Sequence, residues 1–236
     1  MSTGSVPIVT PPLGEWAFDR RGPEHSKRVY DWWGRHDWAY RAFVNGYLLG
    51  REGAFRTRTV ESLGLDPGDW VLDVGCGPGP NFDVLADAVG PTGALVGVDA
   101  SEGMVERATA RGTTLDCSAT VLQADAARLP LRDASVDAAC ATLSLSAMPD
   151  IPAVVDQLAR VLRPGGRLAV LDARPFEAAY ARWLNPFIER AAAYLTNWYP
   201  DADIVGAVDE RFADTTLRTF QGGSIYVLTG RNGTER

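Results

Sequence analysis

The chain has 236 residues, 46% of them hydrophobic and 22% charged, an ordinary globular balance with enough length to bury one core. No run approaches the ~18 consecutive apolar residues of a membrane span, and the opening MSTGSVPIVTPPLGEW lacks the basic-then-apolar order of a secretory leader, so a cytoplasmic protein is expected. A net charge of -7, from 23 Lys+Arg against 30 Asp+Glu, argues against a nucleic-acid partner held by phosphate neutralisation. Cys76, Cys117 and Cys140 are odd in number and widely spaced, which suggests neither a disulfide framework nor a cysteine zinc site.

Residues 1–14 are rich in Pro, Ser, Thr and Gly and read as a tail. Residues 15–67 read as a helical, aromatic cap that ends at the turn LGLDPGD. Beyond it the period changes. WVLDV (70–74), ALVGVD (94–99), ATVLQ (119–123), VDAACAT (136–142) and RLAVLD (167–172) are apolar runs of strand length separated by helix-like segments, the pattern of a parallel sheet covered on both faces. Gly79-Pro80 is expected to open a helix with Pro at its first position, and Gly90-Pro91 to stop it. Ser101 and Asp150 are placed to cap the next helices, and Arg163 to Gly166 to turn into the fifth strand. A helix over 176–196 and strands near 215–220 and 224–229 complete the 173–236 segment, and the whole of 15–236 reads as one domain with its core in 68–172.

The sharpest local signal is VLDVGCGPG (71–79), a strand that runs into a glycine-rich turn and then a helix. Such a turn lets a ligand approach bare backbone, and helix-start amides favour an anionic group. The dinucleotide fingerprint G-x-G-x-x-G fails here, because the third glycine is replaced by Pro80 or Phe82 depending on the register. An NAD-linked reductase is therefore disfavoured. Asp99 ends the second strand, where a carboxylate accepts from both hydroxyls of a ribose, and Asp125 follows the third, where it can meet the exocyclic amine of an adenine. Three sites in order at neighbouring strand ends outweigh any one of them.

Together DVGCGPG, VGVDAS, QADAARLPL, VDAACATLSLSAMPD and LARVLRPGG resemble the class I S-adenosylmethionine-dependent methyltransferases over about residues 68 to 172. The resemblance implies a Rossmann-like, seven-stranded, mostly parallel α/β sheet with an antiparallel last strand and a helical N-terminal cap. It implies S-adenosylmethionine as cofactor and S-adenosylhomocysteine as product, with no metal. Asp73 and the backbone of Gly75, Cys76, Gly77 and Gly79 would hold the methionine part, and Asp99 the ribose. Ala100 and Met104 would flank the adenine, Asp125 and the Ala126 amide would read its edge, and Thr142 would lie near the sulfonium. The flanks, with VYD, Tyr194-Leu195, Pro200 and GGSIYVLTGR, are similar to the ubiquinone/menaquinone C-methyltransferase subgroup.

Of 22 aromatic residues, ten lie between Trp16 and Phe55 and seven between Phe176 and Tyr199, whereas 71–172 holds only Phe82. Both segments would cover the acceptor side, so a small hydrophobic or aromatic acceptor such as a quinol or phenol is expected, although the same residues could simply pack against the sheet. Contact with a membrane is a further option, weakened by the single lysine, Lys27. Helical spacing puts His36 on a stripe with Trp33, Tyr40, Phe43 and Tyr47, whereas His25 sits in a polar run, so His36 is the candidate general base. N-methylation of an amine or lipid headgroup, and a non-catalytic cofactor-binding partner protein, stand as alternatives.

Overall fold

The structure is a computed structural model that describes residue 42 and residues 44–233. After a short helical stretch at 44–47 comes α1 (Glu52–Leu63), then β1 (Trp70–Val74), α2 (Phe82–Val89), β2 (Ala94–Asp99), α3 (Glu102–Gly112), β3 (Ser118–Gln123) and β4 (Val136–Thr142). The chain continues through α4 (Ile151–Val161), β5 (Leu162–Ala173), α5 (Asn185–Leu195), α6 (Ile204–Arg211), β6 (Ala213–Phe220) and β7 (Ile225–Arg231). The strands form one sheet in the order β3-β2-β1-β4-β5-β7-β6, parallel from β3 to β5, with β7 antiparallel to both of its neighbours. This is the expected Rossmann-like sheet with an antiparallel last strand.

Two apolar layers explain why the central strands read as nearly continuous hydrophobic runs. On one face Val71, Leu95 and Ala138 pack with Val60 and Leu63 of α1, Leu85 and Val89 of α2 and Ala108 of α3. On the other, Leu72, Val74, Val96 and Ala139 pack with Val154 and Leu158 of α4 and Val208 of α6. Asp73 lies between Leu72 and Val74 in β1 and, by strand alternation, shares the α1/α2 face with Val71. Among the described residues no helix is long and apolar enough to cross a membrane.

Several boundaries differ from the sequence expectation. The helix after the glycine turn begins at Phe82 rather than at Pro80, because Phe82 N–H closes a turn onto Gly79 O (3.1 Å) and the Asn81 side chain points inward instead of capping. Ser101 occupies the N-cap of α3, but its side chain makes no capping bond. Asp150 does cap α4, accepting from Ala153 N–H at 3.1 Å. The Arg163–Gly166 turn is absorbed into β5 as an irregularity: Leu162 pairs with Val136, pairing resumes at Arg167 with Ala138, and Asn232 holds the loop through bonds to Gly165 N–H and Gly166 O. Residues 176–181 are not helical. There Glu177 and Ala178 N–H donate to Gly222 O and Phe176 N–H to Asn185 Oδ1, and Phe176 O, which a helix would offer to the amide of Tyr180, accepts instead from Asn185 Nδ2 at 3.1 Å.

Gly97 lies in the middle of β2, and a Cβ there would meet the Phe82 ring at 2.8 Å and Cys76 Sγ at 3.1 Å. Its bare backbone is the slot into which α2 and the glycine turn settle. Gly97→Val is therefore expected to destabilise the fold by about 1–3 kcal/mol through overpacking; urea unfolding would show a lower midpoint at unchanged slope, and an unchanged midpoint would mean that Phe82 moves freely away.

Candidate active site

The turn after β1 has one tight end and one open place. Gly75 has φ 63, and a Cβ on it would lie 2.5 Å from Ser144 Cβ, so both conformation and space demand glycine. Gly77 has φ 53, yet a Cβ there would meet nothing within 4 Å. The backbone at Gly77 thus borders open space at the carboxyl end of the sheet, where ligands bind in this class of fold. The amides of the turn are already committed: Cys76 N–H donates to Val98 O (3.0 Å), Gly77 N–H to Asp99 Oδ2 (2.8 Å) and Gly79 N–H to Cys76 O (3.0 Å). At these three positions the turn therefore offers a ligand bare backbone surface rather than free N–H donors.

Asp99 ends β2 and binds across the crevice, accepting from Gly77 N–H through one oxygen and from Ser101 N–H (2.9 Å) through the other. Burial raises its carboxyl above the ordinary range, while the Ser101, Gly77 and Ala100 amides act to lower it. A carboxylate has about four lone-pair sites, more than these amides occupy, so acceptor capacity remains for an incoming hydroxyl. Beside it, Ser101 Oγ is buried without a hydrogen-bond partner among the described residues. An orphaned hydroxyl next to a carboxylate with spare acceptor capacity suits a polyhydroxylated group such as a ribose.

Asp125 sits at the end of the loop after β3, half-buried, with Oδ1 accepting from Ala127 N–H at 2.9 Å. Ala126 and Met104 are buried, whereas Ala100 is exposed with its carbonyl accepting from Gln123 Nε2 at 3.1 Å. Asp99, Ala100, Met104, Asp125 and Ala126 thus come from the adjacent ends of β2 and β3 and the start of α3. The Cys76 side chain is buried in the α1/α2 layer, and burial together with the nearby Asp73 and Asp99 charges pushes its thiol well up, which leaves it no nucleophilic role.

Asp73 is fully buried, and its surroundings were not legible in the sequence. Asn81 Nδ2 donates to both of its oxygens (3.1 and 3.0 Å), and Cys140 Sγ to one at 3.4 Å. Burial pushes this carboxyl up to about 6 against the opposing effects of Asn81, Cys140 and the Arg56 charge. Arg56 Nη1 donates to Asn81 Oδ1 (2.9 Å) and to Thr142 Oγ1 (2.5 Å), and the guanidinium pairs with Glu52 at 2.9 Å. Thr142, expected near the sulfonium end, is thus tied from both sides, since Asn81 Nδ2 also donates to it at 2.9 Å. Arg56 and Asn81 were missed by the sequence reading. The signal for Arg56 was present: Phe55, Arg56, Thr59, Val60 and Leu63 form the buried stripe of α1, and a charge on such a stripe requires partners.

On the far side of Thr142, Ser146 donates from Oγ (2.6 Å) and N–H (2.9 Å) to Asp172, a second fully buried carboxylate at the end of β5. Tyr47 lies near it, its hydroxyl pushed up to about 12 by burial and by the Asp172 charge. Two cavities follow, one of about 410 Å³ bordered by Arg174, Phe176 and Tyr226, the other of about 610 Å³ bordered by Met148, Ile151 and Trp198. Tyr180, Trp183 and Phe187 are 76%, 67% and 71% exposed. Of the N-terminal aromatic group only Tyr47 and Phe55 belong to the described residues; His36 and His25 lie outside them.

Residues 71–166 match a family model described as a methyltransferase domain. The chain is 38% identical over 184 residues to the 2-phytyl-1,4-naphtoquinone methyltransferase of Synechococcus elongatus, an alignment that covers 76% of each chain. It is 32% identical over 149 residues to the demethylmenaquinone methyltransferase of Lactobacillus johnsonii, covering 62% of this chain and 61% of that protein. Among solved structures, a SAM-dependent methyltransferase from Aquifex aeolicus superposes with a TM-score of 0.58 at 21% identity, over 75% of this chain and 89% of the other, which supports the fold. The chain belongs to the class I S-adenosylmethionine-dependent methyltransferases and is similar to their quinone-methylating members.

Proposed function

We propose that this enzyme transfers the methyl group of S-adenosylmethionine to a ring carbon or oxygen of a quinol- or phenol-like acceptor, releasing S-adenosylhomocysteine. The observation that carries the proposal is the 38% identity, over three quarters of both chains, to a protein named for naphthoquinone methylation. The exposed Tyr180, Trp183 and Phe187 are in keeping with a flat apolar acceptor, since large aromatic groups left unpacked by the sheet are free to meet one. Neither N-methylation nor a non-catalytic role is favoured by the relatives' names.

When bound, S-adenosylmethionine supplies a methyl group already activated on a sulfonium, so the protein's task is chiefly binding, alignment and exclusion of water. Asp99, with the buried Ser101 hydroxyl beside it, would accept the ribose hydroxyls. Asp73 and the backbone of Gly75, Cys76, Gly77 and Gly79 would hold the methionine portion. Ala100 and Met104 would flank the adenine, and Asp125 with the Ala126 amide would read its edge. Thr142 would lie near the sulfonium end, its side chain fixed by the bonds its hydroxyl accepts from Arg56 and Asn81. A phenolic or quinolic acceptor loses one proton as its new bond to the methyl carbon forms, and His36, outside the described residues, is the histidine proposed to take it.

Asp99→Ala should weaken S-adenosylmethionine and S-adenosylhomocysteine alike by about 1.5–3 kcal/mol, as expected for lost charge-assisted bonds; calorimetry with unchanged affinity would remove Asp99 from the site. In an acceptor screen that follows S-adenosylhomocysteine release, turnover is expected with quinols and phenols carrying apolar substituents. Turnover confined to small hydrophilic amines would overturn the acceptor assignment. His36→Gln should lower turnover sharply with cofactor affinity intact, and wild-type turnover with an unchanged pH profile would assign His36 to packing.

A further inference from the structure

Arg56 is a charged side chain only 4% exposed, on a helix that precedes the cofactor core, and its bonds run into that core rather than along its own helix alone. From the one guanidinium, Nε and Nη2 reach Glu52 at 2.9 Å, and Nη1 reaches Asn81 Oδ1 and Thr142 Oγ1. These bonds settle the orientation of the Asn81 amide. Arginine has no acceptor and a carboxylate has no donor, so the oxygen must face Arg56 and the nitrogen must face Asp73. A flipped amide would place donor against donor and acceptor against acceptor at once. Arg56 thus reaches Asp73 in two ways, by its charge and through the amide it orients.

We infer that Arg56 is a positioning residue for the methyl donor: it locks Asn81 and Thr142 beneath the glycine turn and keeps the Asp73 carboxylate charged to receive the donor's ammonium group. The inference rests on the proposed placement of the methionine portion at Asp73. The groups that face Asp73 are few and of opposing effect. Arg56 and its partner Glu52 come from α1, Asp99 from β2, Cys76 from the turn and Cys140 from β4. Among the described residues Arg56 is the one cation that bears on it, and it opposes the burial that drives the carboxyl toward neutrality.

The sign follows directly. Asp73 loses its charge as pH falls through about 6, so donor affinity should fall there too. Removing the Arg56 charge raises that midpoint, bringing the loss of affinity toward neutral pH. The test is a pH titration of the Asp73 side-chain carbonyl by carbon-13 NMR in the free protein, paired with calorimetry of S-adenosylmethionine, both from about pH 5 to about pH 9. Arg56→Gln should move both midpoints up together, by about one pH unit, because the charge that opposes the burial of Asp73 is removed. Arg56→Lys should restore the wild-type midpoint while leaving affinity reduced, because an ammonium carries the charge but not the fork. Should Arg56→Gln fail to fold, Glu52→Gln gives the opposite sign: it frees Arg56 from its competing partner and should move the midpoint down. An unmoved Asp73 titration in the variant that folds overturns the inference for Arg56. A moved titration with a donor affinity that ignores it, in wild type and variants alike, shows that Asp73 does not meet the donor, and the proposed placement of the methionine portion fails instead.

Discussion

The centre of this molecule is organised around one costly group, the Asp73 carboxylate, fully buried in β1, an interior strand of the sheet. An unpaired ion in such a place costs several kcal/mol, so its neighbours are constrained to compensate it. Asn81 turns its amide inward and thereby gives up its capping role, which is why α2 starts later than its proline suggests. Cys140 donates from β4, and α1 spends a position of its apolar stripe on Arg56. Four elements that have no other reason to share polar contacts, α1, β1, β4 and the start of α2, are joined through this single carboxylate.

The turn above Asp73 follows from the same economy of space. Gly75 lies hard against Ser144, and Gly97 makes room for Phe82 and Cys76, so the turn is clamped from below and behind while the backbone at Gly77 stays bare. The amides of Cys76, Gly77 and Gly79 are satisfied by Val98, Asp99 and Cys76, so the turn offers bare backbone surface there rather than free donors. Asp99 has a double part in this arrangement. One oxygen closes the turn and the other closes the start of α3, so the carboxylate is aligned before any ligand arrives and retains acceptor capacity.

The parallel strands β1, β2, β4 and β5 were legible because both faces of each are largely buried, which leaves apolar runs between glycine and proline punctuation, and the half-exposed edge strand β3 was legible from its ATVLQ run. Asp99 and Asp125 were legible because a strand end places them. Most of what escaped the sequence reading depends on contacts that only the folded chain creates. Residues 176–181 have helical composition, but Gly222 and Asn185 capture their backbone groups. Ser101 has the identity of a cap and the position of one, yet its hydroxyl is left unpaired beside Asp99. Arg56 reads as one more charge on an ordinary amphipathic helix until Asn81, 25 residues on, and Thr142, 86 residues on, are folded against it.

Methyl transfer from a donor that is already activated depends mainly on holding two reactants in line, so the segment between donor and acceptor must not drift. In the proposed placement of donor and acceptor that segment is 142–146, and it is held from both sides by buried carboxylates. On the donor side Thr142 joins the Arg56–Asn81–Asp73 network; on the acceptor side Ser146 delivers its hydroxyl and its amide to Asp172. Between them Leu143 adopts φ 53, a conformation that a branched side chain takes only under constraint, and its N–H donates to Leu171 O at 2.7 Å. Ser144 then returns its hydroxyl to Val74 O at 2.8 Å and closes over Gly75. A strained residue persists only where its neighbours over-determine it, and here Thr142 is tied to Arg56 and Asn81, Ser144 to β1 and Ser146 to β5. The strain at Leu143 is thus the local cost of fixing Thr142 over β4 and Ser146 over β5 at once, the rigid spacing that a reaction governed by alignment requires.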